Sequence, residues 1–269
     1  MSTATILLIG TGRAAHHLGE ALKRGGNQFV GVVGRDGTKS AALANRLGTA
    51  AFPFGVTLPE SDIVFLAVSD DALAEVAGRL PKTEAIVVHV SGAKPLDVLL
   101  PHARRGVLWP VQSLAAGATV DLSQSPLVVD ASDEDTKLAL LALARGISQR
   151  VLELDHDDRL VLHAAAVFAS NFPIFLLGEA QRLLREHDMP GELLLPLWSN
   201  SAQRAATVGP EQALTGPARR GDIDTLQQHL ALLKADPDLR RTYALLSRSI
   251  LKAHGHPTDG IEDVQGDPR

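Results

Sequence analysis

Residues 5–26 read TILLIGTGRAAHHLGEALKRGG, and this stretch decides the fold. A short apolar run at residues 6–9 is followed at once by Gly10-Thr11-Gly12-Arg13-Ala14-Ala15, which has the pattern G-x-G-x-x-A. A helical stripe, with apolar residues at Leu18 and Leu22, then ends at Gly25-Gly26. Strand, glycine turn and helix in this order form a βα unit whose turn N–H groups favour the pyrophosphate of a dinucleotide. The alternative is a plain tight turn.

The same alternation of strand and helix patterns continues to about residue 154 and predicts a parallel sheet covered on both faces. The further strand-like runs are residues 29–33, 63–68, 86–90, 127–129 and 151–154. The pattern then becomes helical, and Pro173 is expected to bend the first long helix. We predict an α/β protein with an N-terminal Rossmann doubly wound sheet at 1–154, an all-α domain at 155–255 and a flexible tail at 256–269.

Composition narrows the classes of partner. Lys and Arg number 26 against 31 Asp and Glu, and only one Tyr, two Trp and seven Phe are present, so we predict no nucleic-acid binding. The absence of cysteine excludes disulfides and thiolate metal sites. With no basic N-terminal region and no apolar stretch judged to approach the roughly 18 residues of a membrane span, we expect a soluble, cytoplasmic protein.

Arg35, two residues after the second strand-like run, bears on the choice between NAD and NADP. An NAD-preferring site usually carries an acidic residue there, whereas this chain has Arg35. A guanidinium can form a forked pair with a 2′-phosphate, so we predict NADPH. The alternative is a solvated Arg35 paired with Asp36. Ser69 and Asp70 could contribute helix caps alone. The predicted cofactor-binding residues are Gly10, Thr11, Gly12, Arg13, Ala14, Arg35, Val68 and Ser69.

The first long helical pattern carries His163, Val167, Ser170 and Asn171 at the spacing i, i+4, i+7 and i+8, which places them along one stripe. Reduction of a carbonyl builds negative charge on oxygen and needs a proton donor, and imidazole titrates near neutral pH. We therefore predict His163 and Asn171 as catalytic and Ser170 as substrate-binding. The structural alternatives are a His163 satisfied by a carbonyl, a Ser170 bonded to the preceding turn, and an Asn171 that binds carbonyls freed by Pro173.

Two further polar residues are candidates for the site. Ser91 follows the fourth apolar run in the segment His89-Val90-Ser91-Gly92 and is predicted to bond a substrate carbonyl or a nicotinamide amide, as a third catalytic residue. Arg220, in the turn 215–222, is predicted to clamp a substrate carboxylate, the alternative being a purely structural turn. The acidic residues at 155–158 are consecutive and point in different directions, so no metal site is predicted.

These segments together resemble one family, the oxidoreductases that join a Rossmann-like domain to a helical domain of unknown function. The resemblance rests on residues 10–15, Arg35, 67–71, 89–92, 109–113, 163–171 and 215–222. It implies an architecture similar to pyrroline-5-carboxylate reductase, 6-phosphogluconate dehydrogenase and ketopantoate reductase. It also implies a homodimer.

What the resemblance implies about activity is NADPH-dependent reduction of a small 2-oxo acid or a related carbonyl or imine, with ketopantoate as the specific candidate. The alternative is a non-catalytic NADP-binding sensor. Two residues depart from the pattern. Trp109 stands where the family usually has histidine, and Val167 stands where the related dehydrogenases carry a lysine acid/base four residues before Asn171.

Overall fold

The structure, a computed structural model, describes residues 3–114 and 120–261. The chain divides into two units, Met1–Asn171 and Phe172–Arg269. The division therefore falls within the long helix, whereas the sequence prediction placed a boundary at the start of that helix. Each unit is described by itself below.

The first unit contains a sheet of eight strands and five α-helices within its described residues. The strands are β1 (Thr5–Ile9), β2 (Gln28–Val33), β3 (Ala51–Phe52), β4 (Ile63–Leu66), β5 (Ile86–His89), β6 (Arg105–Pro110), β7 (Leu127–Ala131) and β8 (Val151–Glu153). The helices are α1 (Arg13–Arg24), α2 (Gly37–Leu47), α3 (Leu73–Arg79), α4 (Glu134–Arg145) and α5 (His156–Ala166). Short 3₁₀ turns lie at Asp70–Ala72, Leu96–Leu99 and Leu122–Gln124.

The strand order is β3-β2-β1-β4-β5-β6-β7-β8, which confirms the doubly wound α/β prediction. Every neighbouring pair is parallel except β6 and β7, which are antiparallel, so the expected all-parallel sheet is wrong at this one pair. In a sheet wound in this way, the order reverses between β1 and β4, and ligands bind outside the carboxyl ends of the strands at that point. The glycine turn at Gly10 lies at this switch point.

The first unit packs apolar side chains on both faces of the sheet. In β1, Ile6 and Leu8 belong to one buried cluster, whereas Leu7 and Ile9 belong to the cluster on the other face. Successive side chains of a strand point to opposite faces, so a continuous apolar run is what a strand covered on both sides requires. The sheet is thereby a rigid base for the loops at its carboxyl edge.

The long helix departs from regular geometry next to its proline. A π-helix, Val167–Asn171, separates α5 from the helix that follows. Pro173 has no N–H to donate to the preceding turn, and a wider turn is one way in which a helix accommodates such a gap. The bend expected at Pro173 therefore takes the form of a π-turn just before it.

One sequence expectation about membranes needs correction. Residues 160–177 contain no Asp, Glu, Lys or Arg. The helical stretch His156–Glu186 is long and apolar enough to cross a membrane by length and composition: a window of 18 residues within it has a mean hydropathy of 1.9, and none of that window is buried. The earlier statement that no stretch approaches the length of a span is therefore wrong.

The second unit is helical in its described residues. Its helices are α6 (Phe172–Glu186), α7 (Leu195–Val208), α8 (Pro210–Ala213), α9 (Pro217–Arg220), α10 (Ile223–Leu232) and α11 (Pro237–Ala253), with 3₁₀ turns at Gly191–Leu194 and Leu233–Ala235. The core includes Leu226, Leu230 and Leu251. Ile261, in the expected flexible tail, is also buried in this core; residues 262–269 lie outside the described residues.

Candidate functional site

The glycine turn after β1 crosses directly over the end of β4. Gly10 has φ +122°, and a Cβ at this position would lie 2.2 Å from the carbonyl oxygen of Ala67. The Gly10 N–H donates to the carbonyl oxygen of Val33 at 2.8 Å, so the turn is also held to β2. Only glycine combines this backbone conformation with so close an approach.

The second glycine of the motif faces open space. A Cβ on Gly12 would meet no protein atom within 4 Å. Gly12 begins α1 in extended conformation without a side-chain cap, and the first turn of α1 contains no acidic residue. The free N–H groups of that turn and the helix dipole therefore favour an anion. Exposed Arg13 and half-buried Ala14 continue the same turn. These features fit a dinucleotide pyrophosphate.

Arg35 lies beside this turn and is exposed. A Cβ on the preceding Gly34 would lie 2.8 Å from Cγ2 of Thr11, so the end of β2 packs against the glycine turn. The alternative partner of Arg35 is engaged elsewhere. Asp36 caps α2 by accepting from the Lys39 N–H at 3.1 Å, and its carboxylate lies 3.6 Å from Lys39 Nζ. No ion pair of Arg35 is found among the described parts of the chain.

The loop after β4 supplies the other predicted cofactor contacts. The nitrogen of Val68 lies 3.3 Å from a Cβ built on Gly10, which places this loop next to the glycine turn. Ser69 is exposed, and its carbonyl accepts from the Ala72 N–H at 2.9 Å while its side chain makes no cap. The alternative that the Ser69 side chain serves only as a helix cap is therefore wrong.

Ser91 uses its hydroxyl entirely within the chain. Its Oγ donates to Oδ2 of Asp70 at 2.8 Å and accepts from the N–H groups of Ala93 and Lys94 at 3.1 Å each. A hydroxyl has one donor and two acceptor sites, so this set is complete. The Ser91 N–H donates to Nδ1 of His89 at 3.1 Å. Burial, and next the charge of Arg159, lower the pKa of His89 to about 4, so this ring is neutral near pH 7.

His163 belongs to a cluster of three residues, Gly92, Trp109 and His163, which we call the indole–imidazole cluster. The two rings meet edge to face, with centroids 5.5 Å apart and planes at 64°. A Cβ on Gly92 would lie 2.6 Å from Cε2 of Trp109 and 2.8 Å from Cδ2 of His163. The structure therefore brings His163 to the loop that follows β5, although the sequence alone gave no sign that Trp109 would contact it.

The remaining predicted residues lie elsewhere along the chain, and within the first unit Asn171 is not brought to His163. Asn171 follows it by eight residues, which corresponds to about 12 Å along a helix, so the two side chains do not meet. Ser170 and Asn171 both lie in the π-turn, where Asn171 is exposed. Arg220 lies in the second unit, exposed at the end of α9. Its charge contributes to the lowered pKa of Asp222, whose main cause is hydrogen bonding from Thr225.

Two other features do not add to this site. No group of three His, Asp or Glu residues able to hold a metal ion lies within residues 3–114 and 120–261. A cleft of about 800 Å³ is lined by residues that precede β1, β4 and β5, including Ala4, Asp62 and Ala85. It therefore lies at the amino edge of the sheet, opposite the glycine turn.

Comparison with known proteins identifies both parts of the chain. A Rossmann-like domain matches residues 2–112, and a domain of unknown function, DUF2520, matches residues 125–250. The chain is similar to a Bacteroides fragilis protein of known structure whose assigned name is NADP oxidoreductase. The two chains are 32% identical, with a TM-score of 0.85, and the match covers 93% of this chain and 98% of that one. No curated protein sequence matches.

Two further solved structures share the fold. Protein TM1727 from Thermotoga maritima has 24% identity and a TM-score of 0.74, with 93% of this chain and 98% of that chain covered. The 1-pyrroline-5-carboxylate reductase of Streptococcus pyogenes has 15% identity and a TM-score of 0.62, with 94% and 99% covered. At these identities the likeness concerns the fold alone.

Proposed function

The chain belongs to the family that joins a Rossmann-like domain to a DUF2520 domain and is an oxidoreductase of the NAD(P)-binding Rossmann type; we propose that it uses NADPH to reduce a small 2-oxo acid or a related carbonyl or imine. The observation that carries the proposal is the glycine turn. Gly10 permits the crossing over Ala67, while Gly12 leaves open space in front of unpaired helix N–H groups. That combination fits the pyrophosphate of a nicotinamide dinucleotide.

NADPH is proposed over NADH because of Arg35. Arg35 follows Gly34, which packs against Thr11 of the glycine turn at the end of β2, where the adenosine ribose binds in such folds. Asp36 is engaged with Lys39 and does not neutralise it. A forked pair between a guanidinium and a 2′-phosphate gains both charge and geometry. The name of the Bacteroides fragilis protein, an NADP oxidoreductase, agrees with this choice.

The bound cofactor would supply a hydride, and a residue of the chain must donate the proton that completes the reduction. Negative charge develops on the carbonyl oxygen or imine nitrogen of the substrate as the hydride arrives. We assign His163 as the group whose ring N–H gives its proton to that atom. Ser91, whose hydroxyl is already occupied, holds the loop that carries Gly92 and is a positioning residue. Asn171, Ser170 and Arg220 remain proposed ligands for other parts of cofactor or substrate.

A second copy of the chain is the proposed partner, because large apolar side chains are left exposed. Val161 on α5 is 70% exposed, and in the second unit Phe175, Leu193 and Leu197 are 62%, 62% and 65% exposed. No residue of α6 or α7 is buried. Apolar surface of this extent is typical of a protein interface. The cytoplasmic location stays a prediction.

Turnover tests the proposed reaction. The purified protein is mixed with NADPH and a panel of 2-oxo acids, including ketopantoate, and cyclic imines, and the loss of nicotinamide absorbance is followed. We expect at least one member of the panel to be reduced, and His163→Asn to lower kcat by about 100-fold, the range of general acid catalysis. Binding of NADPH without turnover of any member would instead indicate a sensor. Ketopantoate is tested as one candidate substrate on the same footing as the others.

Light scattering after size exclusion tests the partner. We expect twice the mass of one chain for the wild type. Leu197→Glu should shift the protein toward one chain mass, whereas Gln203→Glu, on an exposed polar position of the same helix α7, should not. A wild-type protein that elutes as a single chain, or that binds neutral lipid vesicles instead, would contradict the proposed second copy.

A further inference from the structure

Arg159 is a fully buried cation that the proposed reaction does not use. Its side chain has 0% exposure. Nη1 donates to Oδ2 of Asp130 at 2.6 Å, and Nη2 donates to the carbonyl oxygen of Lys94 at 2.8 Å and lies 3.3 Å from Nδ1 of His156. Removing a guanidinium from water is costly, and the cost is offset only by well-placed partners. Arg159 is the only residue of α5 that is buried, and a buried cation calls for a specific role.

Arg159 ties α5 to two places at the carboxyl edge of the sheet. Asp130 is in β7, and the Lys94 carbonyl belongs to the turn that follows β5. The N–H of Lys94 donates to Oγ of Ser91, so both sides of the same peptide segment are fixed. The turn that holds Gly92 is therefore clamped between the Ser91 hydroxyl and the Arg159 guanidinium.

His163 follows Arg159 by four residues and lies on the same side of α5, because residues i and i+4 of a helix are neighbours. The anchor is therefore one helical turn from the ring that contacts Trp109 and Gly92. Gly92 has no side chain, and the imidazole of His163 packs in the space that a Cβ there would fill. The position of α5 against the sheet therefore determines where the nitrogen atoms of His163 lie. A small displacement of a proton donor is enough to lower a rate strongly.

We propose that the Arg159–Asp130 pair is a positioning device that fixes the imidazole of His163 in the indole–imidazole cluster. The proposal rests on the proposed role of His163 as proton donor. It differs from a purely stabilising ion pair in one respect: a milder change to the pair should leave a folded protein in which the ring of His163 has moved.

Fluorescence of Trp109 reads this position without any reference to activity. In a Trp198→Phe background Trp109 is the only indole. Contact between an imidazole and an indole changes the emission of the indole, and His163→Asn, measured at the same pH, gives the emission of Trp109 without this contact. Arg159→Lys should move the emission more than halfway from the wild-type value toward that of His163→Asn. His187→Asn, at an exposed histidine of the second unit, should leave the emission unchanged.

Steady-state kinetics supplies the second readout. Arg159→Lys and Asp130→Asn should each lower kcat by at least tenfold, while the Kd for NADPH changes by less than twofold, because the hydrogen bonds of this pair go to the Lys94 carbonyl and His156 and not to the glycine turn. Arg79→Lys, the same substitution at the exposed pair with Glu75 on α3, is the matched control and should change nothing.

The outcomes separate the two proposals. A Trp109 emission that stays at the wild-type value in both Arg159→Lys and Asp130→Asn would overturn the positioning role, and so would a failure of both variants to fold by circular dichroism, since the pair would then serve stability alone. Undiminished turnover in His163→Asn would instead remove the proposed proton donor, and the fluorescence experiment would still decide whether Arg159 positions the ring.

Discussion

Replacement of Gly12 by alanine should separate cofactor binding from folding. The added Cβ meets no protein atom within 4 Å, and the backbone of Gly12, at φ −81° and ψ −178°, is open to any residue. The expected cost in stability is that of a poorer helix cap, about 1 kcal/mol. The melting temperature of the protein without cofactor should therefore fall by only a few degrees for a protein of this size, about 2 to 4 °C.

Binding should suffer much more, because the space in front of Gly12 is the space that the pyrophosphate needs. A methyl group there keeps the phosphate oxygens away from the N–H groups of the first turn of α1. Loss of one charge-assisted hydrogen bond costs about 1.5 to 3 kcal/mol, which corresponds to an increase in Kd of about 10- to 150-fold. Calorimetric titration of NADPH into wild type and variant measures this ratio.

The matched control is Gly78→Ala in α3, where a Cβ also meets nothing within 4 Å. Alanine inside a helix should raise stability by about 0.5 to 1 kcal/mol and leave the Kd unchanged. A folded Gly12→Ala protein that binds NADPH within twofold of the wild type would refute the placement of the pyrophosphate at this turn.

Three further predictions follow from the same structure. Gly10→Ala should lose both folding stability, by about 2 kcal/mol or more in urea denaturation, and NADPH binding, since its Cβ would overlap the Ala67 carbonyl; a stable variant would contradict the close crossing. Arg35→Asp should raise the Kd of NADPH by at least tenfold more than that of NADH in parallel titrations, and equal weakening would remove the 2′-phosphate assignment. Burial lowers the pKa of His89 to about 4, so the unfolded chain takes up a proton at a higher pH than the folded protein does. The free energy of unfolding should therefore fall by about 3 kcal/mol as the pH drops from about 6.5 to about 4. His89→Asn should flatten this acid slope in stability measured against pH, and an unchanged slope would contradict the buried neutral imidazole.

The parts of the fold that follow from local pattern could be predicted from the sequence. The unit β1-turn-α1 has its strand, its glycines and its helical stripe within residues 5–26, so no distant contact is needed to recognise it. Strand β6 was missed because Gly106 and Pro110 resemble turn residues. Position 106 of this strand is a glycine because a Cβ there would lie 2.2 Å from Cδ1 of Leu140. Sequence periodicity cannot reveal such a contact.

The same distinction applies to the candidate site. The sequence identified Ser91 and His163 as polar residues in suitable segments, but the partners that define their roles are distant along the chain. Asp70 precedes Ser91 by 21 residues, and the Lys94 carbonyl is 65 residues from the Arg159 guanidinium that binds it. One signal was available: Arg159 lies four residues before His163 on the same helix stripe, and a cation in such a stripe needs a buried partner.

Calorimetry of the two nicotinamide coenzymes against the purified protein most directly tests whether the glycine turn and Arg35 form an NADPH site. We predict one site per chain, with a Kd for NADPH at least tenfold lower than that for NADH. No heat of binding for either coenzyme at millimolar concentration, or equal affinity for the two, would contradict it.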